Sequence, residues 1–217
     1  MMRRMSTPTD LRSRKRLATR QSISDAATLL FLERGFDRVT VDEIAAAADV
    51  GRMTVFNHFP RKEDMFFDRE AEGREVLLDA LRQRAPGVPP VEALRLLAHR
   101  LIRERAPYVN FSPEGLGFVE TIEASETLKA RARAIRGELA DMLAAALSEC
   151  AGREAGDAGA QLAANLLLAT WTVAFLQAHR SFRQKPDEKA AKALFLAIVD
   201  KGHAGIEAAM AGTPYAG

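Results

Sequence analysis

The stretch from Thr40 to Pro60, TVDEIAAAADVGRMTVFNHFP, leaves few folds open to this chain. Thr40 followed three residues later by Glu43 is a capping box, in which each side chain satisfies a backbone N–H at a helix start. Val41, Ile44, Ala45 and Ala48 then recur at helical spacing, predicting a helix of about two turns. Asp49-Val50-Gly51 breaks it. A further short helix runs from Gly51 or Arg52 to Phe59. Pro60 ends it, because the residue before a proline is pushed out of the helical region. Two short helices around such a turn, after a longer first helix, have the spacing of a helix-turn-helix. Val50, Val55 and Phe59 supply the inward face of the second, against Ile44, Ala45 and Leu30. Arg52, Met53, Thr54, Asn57 and His58 are left facing outward, where they can donate hydrogen bonds.

The rest of the chain reads as helix too. A first helix begins at Leu17, with Ile23, Ala26, Ala27, Leu30 and Phe31 on one face. It stops at Gly35, a left-handed residue just past the helix end, with Phe36 packing back on the last turn. Later helices are predicted over roughly 61–84, 90–106, 114–124, 126–150, 158–182 and 187–210. Segments rich in Gly, Pro or small polar residues separate them, such as APGVPP and APYVNFSPEG. No stretch alternates with period two, so no strand is expected. The fold class is all-α: a three-helix N-terminal unit carrying the helix-turn-helix, then a larger helical bundle.

Charge is distributed unevenly over the 217 residues, whose net charge is +2. Residues 1–20 hold seven basic groups against Asp10, leaving +6 there and −4 over the remainder. A basic arm on a mildly acidic body fits a polyanion near the N-terminus, or a solvated tail. The longest unbroken apolar runs are short and alanine-rich, so no membrane span is expected. The N-terminus has arginines but no apolar core of a secretory signal. The single cysteine, Cys150, cannot form an internal disulfide, which makes a reducing cytoplasm the default. There is no phosphate-binding loop and no H-E-x-x-H pattern. Gly115 and Gly117 lack the third glycine of a dinucleotide site. His58, His99, His179 and His203 have no metal-ligand spacing. No enzyme activity, cofactor or metal is expected.

The segment FDRVTVDEIAAAADVGRMTVFNHFPRKEDMF resembles the DNA-binding region of the TetR-type (TetR/AcrR) transcriptional regulators. The residues that carry the likeness are Gly35-Phe36, Thr40-Val41, Ile44-Ala45, Ala48, Val50, Thr54-Val55-Phe56, His58-Phe59 and Lys62-Glu63. The likeness spans about residues 17–66, under a third of the chain, with more than ten positions in register. Departures are Phe56 for a usual tyrosine, Gly51 for a frequent serine, Met53 for a small residue, Asn57 for an aromatic, and Asp42 where a basic residue often serves.

The resemblance implies a basic disordered arm over 1–14, a helix-turn-helix DNA-binding domain over 15–64, and a ligand-binding and dimerisation domain over 65–217. It implies double-stranded DNA contacts by Arg14, Lys15, Thr40, Arg52, Met53, Thr54, Phe56, Asn57, His58 and Lys62. Thr40 would offer donors to a phosphate. Arg52 would read a guanine edge or hold a phosphate. His58 and Lys62 would contact the backbone. A small, largely apolar effector would lie among Tyr108, Phe111, Phe118, Ile122, Trp171 and Phe175. The last two long helices would form a homodimer through two stripes: Leu162, Leu166, Ala169, Val173 and Leu176, and Phe195, Ile198, Val199, Gly202 and Ile206. The implied function is that of a cytoplasmic repressor released from its operator by the effector. A transcriptional activator or a ligand-free architectural DNA-binding protein of the same fold is the alternative.

Overall fold

The computed structural model describes residues 8–216, with side chains from Leu11 onward. The described residues form ten α-helices and two short 3-10 turns, with no strand. The helices are α1 (Pro8–Arg34), α2 (Val41–Ala47), α3 (Arg52–His58), α4 (Lys62–Phe66), α5 (Glu70–Arg82), α6 (Pro90–Arg103), α7 (Pro113–Ala124), α8 (Glu126–Cys150), α9 (Ala158–Gln184) and α10 (Glu188–Ala209). They divide into two compact units. One holds the chain up to Asp68 together with Thr121–Lys129; the other holds Arg69–Glu120 and Ala130 onward.

In the first unit, Ile23, Ala27 and Phe31 on α1 are fully buried at successive turns. They meet Val39, Ile44, Val55, Phe59, Met65 and Phe66, all buried. Phe31 lies 4.9 Å from Phe36 and 6.0 Å from Phe66 between ring centroids. Phe36 reaches this core because Gly35 turns the chain at φ +81°, a conformation open to glycine. Ser125, at the start of α8, is buried and donates its hydroxyl to Asp37 Oδ1 at 2.8 Å. Leu128, one turn on, is fully buried.

Two sequence expectations change here. The first helix begins at Pro8 and not near Leu17, so residues 8–14 of the expected disordered arm are helical. Proline is tolerated in a first helical turn, and Leu, Arg and Lys are good helix formers. Residues 1–7 of that arm lie outside the described residues. The expected helix over 61–84 is two helices, with α4 ending at Phe66 and α5 starting at Glu70. The break frees Met65 and Phe66 for one core and Leu77, Ala80 and Leu81 for another.

The second unit is a bundle in which α9 and α10 make the most extensive helix pair. Arg131 on α8 bonds Glu70 and Glu138 at 2.8 Å each, and Arg74 on α5 bonds the same two carboxylates. This closed set of two cations and two anions fastens α8 to α5. On α9, Leu162 and Val173 are 48% and 50% exposed, on the stripe predicted to be open. On α10 the predicted stripe is turned inward: Phe195, Val199 and Ile206 are buried in the core. The open face of α10 carries Ala190, Ala193, Ala197 and Ala204 instead. Larger side chains gain more from burial, so the bulky face took the core. Helix α9 is also long and apolar enough, by length and composition, to cross a membrane, contrary to the expectation from unbroken runs. Its polar residues are spaced through the helix, and Ala163, Ala164, Leu167 and Ala174 are buried against its neighbours.

Close approach of α9 and α10 depends on Gly202. A Cβ there would lie 2.2 Å from Thr170 Cγ2 and 2.6 Å from Thr170 Oγ1. Alanine gains about 1 kcal/mol of helix propensity over glycine, but overpacking costs about 1–3 kcal/mol. Gly202→Ala should therefore lower the thermal midpoint by several degrees. Adding Thr170→Ala should recover most of the loss, and a double-mutant cycle by thermal unfolding measures that coupling.

Candidate nucleic-acid interface

The helix-turn-helix is built from local bonds. Glu43 N–H donates to Thr40 Oγ1 at 3.3 Å, and Thr40 N–H donates to Glu43 Oε2 at 2.8 Å, completing the capping box. Thr40 Oγ1 also donates to Glu43 Oε2 at 2.8 Å. Arg34 reaches the other carboxylate oxygen of Glu43 at 2.6 Å. Both the hydroxyl and the N–H of Thr40 are thus spent inside the cap. The expected use of that hydroxyl on a phosphate competes with this bond. After α2, Asp49 takes φ +53° to turn the chain into α3. Asp tolerates that region better than most residues.

Helix α3 brings Arg52, Met53, Thr54, Phe56, Asn57 and His58 together on one short element. Its buried residue is Val55, and Phe59 just beyond the end is fully buried as well. Met53 is 70% exposed, an unusual setting for a large apolar side chain. Asn57 is exposed, while Thr54, Phe56 and His58 are half-buried. Arg52 Nη1 donates to Asp42 Oδ2 at 2.7 Å, and its guanidinium lies 5.5 Å from the Phe56 ring. Both partners of the ion pair are more than half exposed, at 57% and 63%. Such a pair contributes about 0–1 kcal/mol to stability.

The cations flanking α3 have distinct roles. Arg14 and Lys15 are exposed on α1. Arg20 Nη1 donates to the carbonyl of His58 at 2.7 Å, and its guanidinium sits 3.9 Å over the Phe59 ring. Arg20 therefore ties α1 to the end of α3. It falls on the same stripe as Ile23, Ala27 and Phe31, one turn earlier, and that position was the signal for it in the sequence. Burial, with Arg16 and Arg20 adding, pushes the His58 imidazole below its ordinary value, so at neutral pH it offers a neutral N–H. Lys62 was expected on the DNA backbone. Its Nζ instead donates to Phe36 O and Val39 O, both at 2.9 Å, and lies 4.1 Å over the Phe36 ring. These bonds tie the start of α4 to the α1–α2 connection.

Residues 23–68 match the family described as bacterial regulatory proteins, tetR family. Over these residues the chain carries a tetR-type DNA-binding region. A relative is the HTH-type transcriptional regulator TcmR of Streptomyces glaucescens, 37% identical over 91 residues; the match spans 41% of this chain and 40% of TcmR. The HTH-type transcriptional repressor DhaR of Mycobacterium sp. (strain GP1) is 26% identical over 200 residues, 85% of this chain and 94% of DhaR. Among solved structures, the SmeT–triclosan complex is similar with TM-score 0.58 and 22% identity, over 87% of this chain and 91% of that one. Thermus thermophilus FadR, a repressor in complex with lauroyl-CoA, is similar with TM-score 0.56 and 26% identity, over 86% and 92%.

The tetR-type effector candidates are only partly gathered. Phe111 and Phe175 are 6.0 Å apart, and both flank His179, whose ring is 4.9 Å from Phe111 and 4.4 Å from Phe175. Phe195 joins Phe111 at 5.7 Å and Trp171 at 6.3 Å. His179 and Phe195 belong to this cluster and were absent from the sequence-based set. Trp171, Phe175 and His179 recur every four residues on α9, and that spacing was the available signal. Tyr108 lies apart, donating to Glu72 at 3.1 Å with Arg69 5.5 Å from its ring. Phe118 is half-buried in the second unit, whereas Ile122 falls in the segment grouped with the first.

The cap on α2 gives a pH signature. The Thr40 backbone N–H, then Arg34 and the Thr40 hydroxyl, hold the Glu43 carboxyl down to about 2. A carboxyl depressed on folding stabilises the folded state above its unfolded value, and that contribution is lost as pH falls toward the folded value. Glu43→Gln mimics the protonated form. Its thermal midpoint should lie below wild type at pH 7, and the gap should close as pH falls from about 4.5 to about 2. Thermal unfolding across that range checks both points.

Proposed function

We propose that two copies of this chain bind a DNA operator of paired half-sites through α3, and that a small, largely apolar effector releases the repressor. The observation that carries this is the face of α3 where Arg52, Met53 and Asn57 are exposed beside a half-buried Thr54, on a helix-turn-helix whose inner residues are buried. A recognition helix of this kind lies in the major groove and reads base edges. One such helix makes few contacts, which favours a dimer. The open stripe of α9, with Leu162 and Val173, and the alanine face of α10 are suited to packing on a symmetry mate as a four-helix bundle.

The aromatic cluster of Phe111, Trp171, Phe175 and Phe195 supports an apolar effector, with the His179 imidazole as its polar contact. FadR and SmeT are described with lauroyl-CoA and triclosan, ligands with large apolar parts. Release requires that the effector bind the DNA-incompetent arrangement more tightly than the competent one.

The test is a binding titration on DNA from upstream of the protein's own gene and on a random-duplex selection. Wild type should bind saturably, with affinity falling steeply as salt rises. Arg52→Ala/Thr54→Ala should lose about ten- to hundredfold. Val173→Glu should sediment as a monomer and bind more weakly. Absence of any enriched sequence at low salt would overturn the reading.

A further inference from the structure

An acid on a face that meets a polyanion needs a reason. Asp42 stands on α2, 63% exposed, and its Oδ2 accepts from Arg52 Nη1 at 2.7 Å. An exposed pair of this kind adds little to folding stability. Its carboxylate also repels the phosphates that the surrounding cations would attract. Both facts point away from a structural role and toward control of Arg52.

We propose that Asp42 is a positioning and specificity-determining residue: it orients the Arg52 guanidinium so that the pair reads a guanine in each operator half-site. This rests on the DNA-reading role of α3 proposed above. Arginine carries five N–H donors in a planar fork. The bond to Asp42 engages Nη1. The Phe56 ring, one turn along α3, limits the guanidinium from a second direction at 5.5 Å. Two restraints from two elements hold a long side chain in place before DNA arrives, so less rotamer freedom is lost on binding. The remaining donors suit the O6 and N7 acceptors of guanine, which lie side by side in the major groove. A freely moving arginine would settle on whichever phosphate is nearest. One held by a carboxylate has part of its charge countered and is turned from the backbone toward a base edge. The carboxylate itself accepts only from exocyclic amines, so it penalises thymine O4 and phosphate oxygens near it.

The experiment uses the full chain. Duplexes enriched by wild type from a random library give the base preference at each position. The enriched duplex, a copy with the Arg52-dependent guanine changed to adenine, and a non-cognate duplex are then titrated at one salt concentration. Wild type, Asp42→Asn, Asp42→Glu, Arg52→Ala and Asp42→Asn/Arg52→Ala are compared, with folding checked by circular dichroism.

Arg52→Ala should remove a guanine preference of about tenfold or more. Asp42→Asn should reduce the same preference by most of that factor, while its affinity for the non-cognate duplex rises about threefold because a negative charge has left the face. Asp42→Glu, which keeps the carboxylate, should retain part of the preference. In the Arg52→Ala background, Asp42→Asn should lower the preference no further. Equal losses on cognate and non-cognate DNA, an unchanged guanine preference in Asp42→Asn, or additive effects in the double variant would each overturn the proposal. Failure of wild type to enrich any sequence would overturn the operator-binding reading itself, and this proposal with it.

Discussion

Phe31, Phe36 and Phe66 meet with ring centroids 4.9 to 6.4 Å apart, and the placement of the helix-turn-helix depends on this contact. The three rings come from α1, the turn after it and α4, so the chain on either side of the helix-turn-helix is fixed to one point. Lys62 adds to the same knot, bonding two carbonyls of the α1–α2 connection while lying over the Phe36 ring. Arg20 closes the other side by holding the last carbonyl of α3. Between those anchors α3 is only seven residues long and has one buried side chain of its own. A helix so short is marginal in isolation. Its conformation is therefore a property of its neighbours, and its outward residues are free to be chosen for recognition.

What the sequence revealed was what is local. Thr40 with Glu43, Gly35 and Pro60 act within a few residues of themselves, so their consequences could be read directly. The donors were harder. Thr40 and Lys62 look available in a sequence because the acceptors that occupy them, Glu43 Oε2 and the carbonyls of Phe36 and Val39, appear only when the chain is folded. Asp42 was visible as a departure from the family pattern, but its bond to Arg52 spans the turn and follows from the geometry of α2 against α3. In the bundle, periodicity located α10 and misjudged its inward face. Both faces are apolar, and packing against α9 and α6 buried the bulkier one.

The bundle is held by different means. Its core is aliphatic and alanine-rich, and helices approach closely where side chains are absent, as at Gly202 beside Thr170. Around that core, Arg74, Arg131, Glu70 and Glu138 form a fully reciprocated ionic set. Breaking one member leaves its partners without a counter-charge in a partly buried setting.

The chain crosses between its two units three times, after Asp68, Glu120 and Lys129. A DNA-binding part that ended at Asp68 would be a different object from the one described. It would lack Ser125, leaving Asp37 without the hydroxyl it accepts from, and it would lack the buried Leu128. The first unit is thus not one continuous stretch of chain. In evolutionary terms, a graft that moved this unit whole would carry along nine residues that sit more than fifty positions away in the chain.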